Sequence, residues 1–215
     1  KLNQKMIEEF ARICSTKSIA FYVMYGQTEA TARMSCLPWK YIGGKTGSIG
    51  YPIPGGSFYL EDQNGNILED DDILGEIVYQ GDNVSLGYAK NCDFLCKGDE
   101  NRGVLHTGDL GKRDRDGFYY IVGRKSRFLK IFGNRVSLDQ VEQLIKSAGY
   151  ECACGGVDDR LKIFVTDVDT VKDVKNIMTT KTTINRSGYI VELIDEIPRG
   201  HSGKVLYSSL NNMKN

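Results

Sequence analysis

The pattern of the sequence changes once along the chain, in residues 123–142, and this change limits the folds that the chain can adopt. Before this stretch, short apolar runs alternate with glycine turns, which is typical of β-rich structure. After it, helices alternate with strands. The stretch also concentrates four basic residues, Arg124, Arg127, Lys130 and Arg135. The sequence therefore predicts two bodies, residues 1–123 and 124–215, which meet here.

Composition argues against several classes of protein. The chain has 215 residues, 40% of them hydrophobic, which is enough to bury a core. Its 28 basic and 28 acidic residues cancel, so we expect no nucleic-acid partner. The sequence contains no apolar run of membrane-spanning length and opens on no signal segment, so we expect no membrane span and a cytoplasmic location. It begins with Lys1 rather than methionine, which suggests a piece of a longer protein.

The six cysteines do not follow a metal-binding pattern. Cys92 and Cys96 are four positions apart, and Cys152 and Cys154 alternate in a strand-like run, whereas zinc ribbons use pairs separated by two residues. These spacings favour reduced thiols over a structural metal. Disulfides are an alternative only if the compartment is oxidising.

The first body opens with an amphipathic helix and an apolar run at residues 18–24, which predicts a buried strand. The strand ends at residues 25–30, Tyr-Gly-Gln-Thr-Glu-Ala. This end is a ligand site or a plain strand-to-helix turn with Thr28 as the cap, and the spacing alone leaves both open. Glycine turns then separate predicted strands at 58–61, 76–80 and 118–122. Asn64-Gly65 predicts a hairpin, and Thr107-Gly108-Asp109 forms a further turn.

The second body begins with a Gly133-Asn134 turn. Ser137 and Gln140 then form a capping box ahead of a helix that ends near Gly149. This helix is expected to bury four apolar residues, Val141, Leu144, Ile145 and Ala148. Strands are predicted at 152–157, 161–165 and 189–194, with a helix at 171–178 and a short helix from about Val205.

Five segments, in this order, carry a resemblance to the C-terminal part of the adenylate-forming (AMP-binding) superfamily, which includes acyl-CoA synthetases, peptide-synthetase adenylation domains and luciferases. The segments are 25–29, 75–88, 107–117, 123–142 and 198–204. The resemblance covers nearly the whole chain. It implies an α/β (α+β) fold in which residues 1–123 are the β-rich end of the large AMP-binding domain. Residues 124–215 would be its small α+β C-terminal lid domain.

The resemblance also implies roles for individual residues. ATP or AMP would be bound by Tyr25, Gly26, Thr28, Asp109, Ile121 and Arg124. Glu29 would bind Mg²⁺, since a hard cation prefers oxygen ligands. The residues alone leave simpler alternatives open: a core tyrosine at Tyr25, an Asx turn at Asp109 and a solvated charge at Arg124.

Two lysines are implied to be catalytic. Lys204 resembles the lysine that bridges the carboxylate and the α-phosphate, where a mobile charge stabilises the transition state. Lys130 would belong to the face that serves the second step. Without the resemblance, each lysine is explained as well by an exposed surface charge. In the family the lid rotates about a residue that is normally Asp or Lys; here that residue is Ser126.

The implied activity has two steps, in which a small carboxylic acid and ATP give an acyl-adenylate and the acyl group then passes to CoA or to the phosphopantetheine of a carrier protein. The family's phosphate loop does not occur in these 215 residues. We therefore expect the missing N-terminal part of the same polypeptide as a partner and an inactive chain without it. The alternative is a non-catalytic binding or interaction module derived from this family.

Overall fold

The fold is of the mixed α/β class, as predicted, with one large antiparallel sheet. A computed structural model describes residues 4–201 and 203–212. Lys1, on which the expectation of a longer protein rested, lies outside these residues. The chain divides into two compact units between Lys125 and Ser126. The assignment of these units to a large-domain fragment and a lid stays a prediction.

The first unit contains helix α1 (Gln4–Thr16) and an eight-stranded sheet of order β1-β3-β4-β9-β8-β7-β5-β6. Every neighbouring pair in this sheet is antiparallel. The strands are β1 (Val23–Tyr25), β2 (Glu29–Ala32), β3 (Ser35–Leu37), β4 (Ser48–Pro52), β5 (Gly56–Glu61), β6 (Ile67–Leu68), β7 (Gly75–Gly81), β8 (Val104–Arg113) and β9 (Tyr119–Arg124).

The predicted turns form the hairpins of this sheet. Asn64 and Gly65 lie between β5 and β6, where Gly65 has a φ of 83° that a side chain would disfavour. Between β8 and β9, the Asp114 side chain accepts from the backbone N–H groups of Asp116 and Phe118. These tight connections keep consecutive strands adjacent. The apolar faces then pack around an aromatic cluster of Phe58, Tyr79 and Tyr119.

Two expectations for the start of the unit need correction. The strand predicted at 18–24 is limited to Val23–Tyr25, because only these residues pair with β3. Thr28 does not cap a helix, since the next element is the strand β2. Helix α1 forms as expected, but Ile7 is its one buried side chain, and Met6 and Phe10 remain 44% and 46% exposed.

The second unit combines a hairpin, a three-stranded sheet and three helices. The sheet has the order β12-β13-β14, and α3 connects the parallel pair β13 and β14, which is the usual crossover for parallel strands. The elements are β10 (Phe128–Ile131), β11 (Asn134–Ser137), α2 (Leu138–Ser147), β12 (Ala153–Val157), β13 (Arg160–Val165), α3 (Val168–Lys181), β14 (Tyr189–Leu193) and α4 (Tyr207–Asn212).

Helix α2 begins at the predicted cap. The Ser137 hydroxyl accepts from the Gln140 N–H at 3.3 Å. Val141 and Ile145 are buried and Leu144 is half-buried, as expected. The expectation for Ala148 is wrong: the helix ends at Ser147, so Ala148 follows the last turn and is exposed.

In the part of the chain that the structure describes, no helix is both long enough and apolar enough to cross a bilayer.

Candidate functional site

The first strand of the large sheet ends in a tight turn that projects polar side chains. The Gln27 carbonyl accepts from the Ala30 N–H, and the Thr28 carbonyl accepts from the Thr31 N–H. These two successive turns leave Thr28 on the surface. Gly26 is required here, because a Cβ at this position would lie 2.4 Å from the Ala32 carbonyl oxygen. Gly26 therefore allows the close approach of Ala32, and the turn holds the Thr28 hydroxyl next to Glu29, the first residue of β2.

Asp109 lies within strand β8, where the register against β7 shifts between Glu76 and Val78, so the turn predicted at residues 107–109 is wrong. Thr107 anchors Asp109: its hydroxyl donates to the Ile77 carbonyl at 2.6 Å and accepts from the Asp109 N–H at 3.1 Å. Gly108 takes the left-handed region at φ 68° and donates its N–H to the buried Glu76. This geometry forms an irregularity within β8 rather than a break, and the Asp109 carboxylate accepts from Tyr25 at the end of β1.

Three side chains converge on the Asp109 carboxylate, which is 6% exposed. The Tyr25 hydroxyl donates to Oδ2 at 2.6 Å, and Gln27 Nε2 donates to the same oxygen at 3.0 Å. Arg124 Nε lies 2.8 Å from Oδ1. A buried carboxylate is stable only when its charge is matched in this way. We call Asp109, Tyr25, Gln27 and Arg124 the Asp109 site.

The environment of this site changes the acidity of Tyr25. Burial, and next the adjacent negative charge of Asp109, raise the pKa of the Tyr25 phenol far above its usual value. Tyr25 is thus neutral throughout the physiological range and remains a hydrogen-bond donor. Its ring packs, together with Ile121, against the aromatic core cluster. The structure therefore brings Tyr25, Asp109 and Arg124 together and sets Ile121 against the same core.

Arg124 and Lys125 are both held by acidic groups of the first unit. Arg124 pairs with Asp109, its antiparallel partner in the register of β8 and β9. The Lys125 ammonium lies 2.6 Å from Glu76 Oε2. Although both carboxylates are buried, the two basic side chains are 57% and 54% exposed, so their outer surfaces remain accessible to solvent. The accessible edge of the site is therefore positively charged.

Glu29 begins strand β2 and accepts a hydrogen bond from the Tyr88 hydroxyl at 2.6 Å. That bond lowers the pKa of the Glu29 carboxyl, and the Arg124 charge contributes in the same direction. Glu29 is therefore ionised at neutral pH. Within residues 4–201 and 203–212, no group of three or more His, Cys, Asp or Glu side chains could hold a metal ion. One ionised carboxylate nevertheless fits Mg²⁺, which commonly takes one or two carboxylates and completes its shell with water and phosphate oxygens.

The two lysines singled out from the sequence lie in the second unit. Lys130 is an exposed residue of β10; its N–H donates to Asp158 and its carbonyl accepts from Asp159, so the turn between β12 and β13 anchors its backbone. Lys204 is exposed on a loop closed by the bridge between Arg199 and Val205. Its carbonyl accepts from the Gly200 N–H at 2.8 Å. Both side chains are accessible to a ligand.

Sequence reasoning missed three participants. Gln27 lies within the Tyr25 segment but had no assigned role, although its amide bridges Asp109 and the Thr107 carbonyl. Tyr88 ends a motif, yet its contact with Glu29 spans 59 positions. The role of the Glu76 carboxylate, which accepts from the Gly108 N–H and from the Lys125 ammonium, was also not predicted. An acidic residue next to the buried apolar run of β7 was the available signal for Glu76.

The six cysteines are free. Cys92 and Cys96 are exposed, whereas Cys152 and Cys154 are buried in the second unit. Burial, with a smaller contribution from the neighbouring Cys152, raises the pKa of the Cys154 thiol well above its usual value. Cys154 is thus a packed, unreactive thiol rather than a nucleophile.

Comparison with known proteins places this geometry in context. The family described as "AMP-binding enzyme" matches residues 1–89. A 2-succinylbenzoate–CoA ligase of Geobacillus sp. (strain WCH70) is 30% identical over 212 residues, which cover 92% of this chain and 42% of that protein. The chain thus spans well under half of the length of this curated relative.

Solved structures share the fold. One is an o-succinylbenzoate CoA synthetase from Bacillus subtilis in complex with its acyl-adenylate intermediate, with a TM-score of 0.74 and 23% identity over 98% of this chain and 44% of that chain. The same enzyme in complex with ATP and magnesium ion gives a TM-score of 0.71 and 24% identity, over 94% and 44% of the two chains. At these identities, the likeness shows the fold alone.

Proposed function

This chain belongs to the adenylate-forming (AMP-binding) superfamily, and from that premise we propose that it is the C-terminal portion of an AMP-forming acid–thiol ligase. In the first step, a carboxylate oxygen attacks the α-phosphorus of ATP, the bond to the bridging oxygen breaks, and pyrophosphate leaves. In the second step, a thiol sulfur attacks the acyl carbonyl carbon, the thiol proton is lost, and AMP leaves. The product is a thioester.

The observation that carries this proposal is the Asp109 site. A buried carboxylate with an accessible arginine beside it suits a ligand that has hydroxyl donors next to negative charge, as the ribose and phosphates of a nucleotide do. Asp109 would accept from the ribose hydroxyls while Arg124 turns toward the nucleotide. Tyr25 and Gln27 would hold the carboxylate in place, since both donate to the same oxygen.

The remaining first-unit residues complete the nucleotide site in this proposal. The Tyr25 ring and Ile121 would contact the base, and the exposed Thr28 hydroxyl would donate to the phosphates. Gly26 permits the close backbone approach on which the loop depends. Glu29 would hold Mg²⁺, which when bound supplies positive charge against the charge of the phosphates.

The second unit would contribute the charges that act on the reacting groups. Lys204 would approach the carboxylate and the α-phosphate in the first step, where a mobile ammonium offsets the developing charge. Lys130 would serve thiol attack in the second step. Both lysines are exposed and therefore accessible to a ligand. The unit would act as a lid, with Ser126 at the hinge.

The rest of the same polypeptide is the proposed partner. The matched relative is more than twice as long as the aligned part of this chain. The first unit also exposes an apolar face on and near α1 and β1. Its exposed side chains are Met6, Phe10, Ile19, Tyr22, Met24 and Trp39, and a recess of 590 Å³ lies between Phe21 and Trp39. We assign this face to contact with the upstream polypeptide, since large apolar patches usually mark such interfaces.

The acid is a small carboxylic acid and the acceptor is CoA, a choice supported by the ligase and synthetase names of the relatives. Carrier-bound phosphopantetheine is the other acceptor with the same thiol chemistry. The reaction is assigned to the cytoplasm, for which the six free thiols are typical.

The test is isotope exchange between pyrophosphate and ATP, catalysed by the full-length protein with a panel of carboxylic acids. Acid-dependent exchange followed by CoA thioester formation is expected. Lys204→Ala should lower the exchange about 100-fold or more, while thioester formation from supplied acyl-adenylate is spared. No exchange with any acid, together with retained binding to a carrier protein, would favour a non-catalytic interaction module instead.

A further inference from the structure

A second buried carboxylate, outside the proposed nucleotide site, is surrounded by donors from four parts of the second unit. Glu142 of α2 is 5% exposed. Its Oε1 accepts from Arg127 Nη2 and from the Cys154 N–H at 2.8 Å. Its Oε2 accepts from Lys146 Nζ at 3.0 Å and from the Tyr207 hydroxyl at 3.1 Å. Each oxygen therefore has two donors.

Arg127 links these groups to one another. Its guanidinium also donates to Asp139 at 2.9 Å and to the Cys154 carbonyl at 2.6 Å. Its central carbon lies 3.6 Å from the centre of the Tyr207 ring, a cation–π contact. Arg127 is 8% exposed, so these contacts are shielded from water and from salt. We call Glu142, Arg127 and Tyr207 the Glu142 hub.

Tyr207 connects the hub to Lys204. It is the first residue of α4 and follows Lys204 by three positions. Between them, the Leu206 N–H donates to the Pro198 carbonyl at 2.8 Å, and Val205 bridges to Arg199. These contacts close the loop that carries Lys204. The orientation of Tyr207 therefore sets the direction in which this loop leaves the body of the unit.

A separate apolar anchor holds α4 itself. Leu210 is fully buried against Ala153, Phe164 and Ile197. Loss of a hub contact should thus leave α4 attached and change the order of the loop before it. Arg127, at the other end of the hub, is the second residue of the unit, so the hub ties the start of the unit to the lysine loop.

We infer that the Glu142 hub is a positioning device, in which Glu142, Arg127 and Tyr207 fix the loop of Lys204 relative to the segment that begins the second unit. The inference rests on the proposed role of Lys204 for its catalytic meaning. None of the three residues is a catalytic residue; each acts through the loop.

The test compares Tyr207→Phe with Lys146→Gln. Tyr207→Phe keeps the ring over Arg127 and removes one donor to Glu142. Lys146→Gln removes the positive charge of the other donor to the same oxygen, at a residue of α2 that has no part in the lysine loop. Amide hydrogen exchange on the 215-residue chain reports the loop through Gly200 and Leu206, and the core through Ile163 of β13.

We expect Tyr207→Phe to speed exchange at Gly200 and Leu206 about tenfold, the effect of losing one hydrogen bond, with Ile163 unchanged. Lys146→Gln should leave all three amides unchanged. Unchanged exchange at Gly200 and Leu206 in Tyr207→Phe would overturn the inference. Equal acceleration at Ile163 would overturn it as well, since it would mean general destabilisation of the unit.

Activity of the full-length protein provides a second measurement. Tyr207→Phe should lower kcat of adenylate formation about three- to tenfold, with KM for ATP unchanged and thioester formation from supplied acyl-adenylate retained. An equal loss in both steps would overturn the positioning role. A further outcome is that Tyr207→Phe accelerates exchange only at the loop amides Gly200 and Leu206 while Lys204→Ala keeps full activity. That combination would support the positioning role of the Glu142 hub and refute the proposed role of Lys204.

Discussion

The two units each bury one carboxylate against an arginine, but the arginines are exposed to very different degrees. Asp109 and Glu142 are both 6% exposed at their side chains. Arg124, beside Asp109, is 57% exposed, whereas Arg127, beside Glu142, is 9% exposed. The same chemical pair is therefore open in the first unit and enclosed in the second.

This difference separates a site that can exchange partners from one that cannot. At Asp109, a ligand can reach the exposed arginine and take over its place, because water already surrounds the outer side of the guanidinium. At Glu142, removal of Arg127 takes away the buried positive partner of an enclosed carboxylate, which is costly. An enclosed pair therefore fixes geometry, and an open pair is suited to binding.

The largest expected effect is on stability in the enclosed pair. Arg127→Met leaves Glu142 without its main positive partner, so the second unit should lose about 3–5 kcal/mol of unfolding free energy. Labelling of the buried Cys152 and Cys154 thiols in a urea series, followed by mass spectrometry, reports this unit. Fluorescence of Trp39, the sole tryptophan, reports the first unit.

Lys146→Gln is the control, since it removes a partly exposed positive charge and should cost about 1 kcal/mol or less. If Arg127→Met has no larger effect than this control, the enclosed pair does not fix the geometry of the unit. If the Trp39 transition shifts as much as the thiol labelling, the effect is not confined to the second unit.

The next effect is on binding at the open pair. Asp109→Asn removes the charge that Arg124 and the ribose hydroxyls would contact, so AMP affinity of the full-length protein should fall about 10- to 100-fold, as for a hydrogen bond to a charged group. Calorimetric titration measures it. Asp116→Asn, at an exposed carboxylate of the same unit, is the matched control and should bind AMP normally. Equal affinity in Asp109→Asn and the control would refute the proposed nucleotide site.

A smaller effect tests the hydroxyl that holds Asp109. Tyr25→Phe should lower unfolding free energy by about 1 kcal/mol, because Gln27 still donates to the same oxygen. The raised pKa of Tyr25 gives the sign of the pH dependence. Folding favours the neutral phenol. The Tyr25 hydroxyl therefore makes its full contribution to the free energy of unfolding below about pH 10, and this contribution is lost as the pH rises further.

Urea unfolding of the wild type and of Tyr25→Phe between pH 8 and about pH 11 measures this dependence. The difference in unfolding free energy between the wild type and Tyr25→Phe should become smaller above about pH 10. A constant difference would mean that the phenol ionises normally in the folded protein, and a difference that widens would mean that folding lowers its pKa. Either result would show that its bond to Asp109 does not hold the carboxylate.

The comparison of the two arginines could not have been made from the sequence. Arg124, Arg127, Lys130 and Arg135 form one basic cluster there, with nothing to single out Arg127. Arg127 is buried because its partners come from α2, β12 and α4, which are remote in sequence. Local patterns do not contain such contacts. Asp109 was identified through motif order, yet its bond to Tyr25 spans 84 positions and was not foreseen.

Features determined by neighbouring residues were predicted well. The Ser137 cap and the Asn64-Gly65 hairpin are confirmed, because each depends on the geometry of a few consecutive residues. The strand at 18–24 was predicted too long, since pairing partners decide where an edge strand begins. The roles of Lys130 and Lys204 stay predictions, because exposure alone does not distinguish a catalytic lysine from a surface charge.

The smallest expected effect concerns the loop next to the open pair, where Tyr88 donates to Glu29. Tyr88 is exposed and Glu29 is half-buried, so Tyr88→Phe should change stability by no more than about 0.5 kcal/mol. The lowered pKa of Glu29 should rise toward its ordinary value of about 4.3, because its largest cause is removed while Arg124 remains. The Glu29 contribution to stability, present above about pH 4.3 and lost as the pH falls through the lowered value, should shrink accordingly.

Carbon NMR titration of the Glu29 carboxyl measures the shift, with Tyr22→Phe, at another exposed tyrosine of this unit, as the control. A Glu29 pKa that stays low in Tyr88→Phe would contradict this prediction, since it would mean that the backbone hydrogen bond and the Arg124 charge suffice to hold the carboxylate ionised.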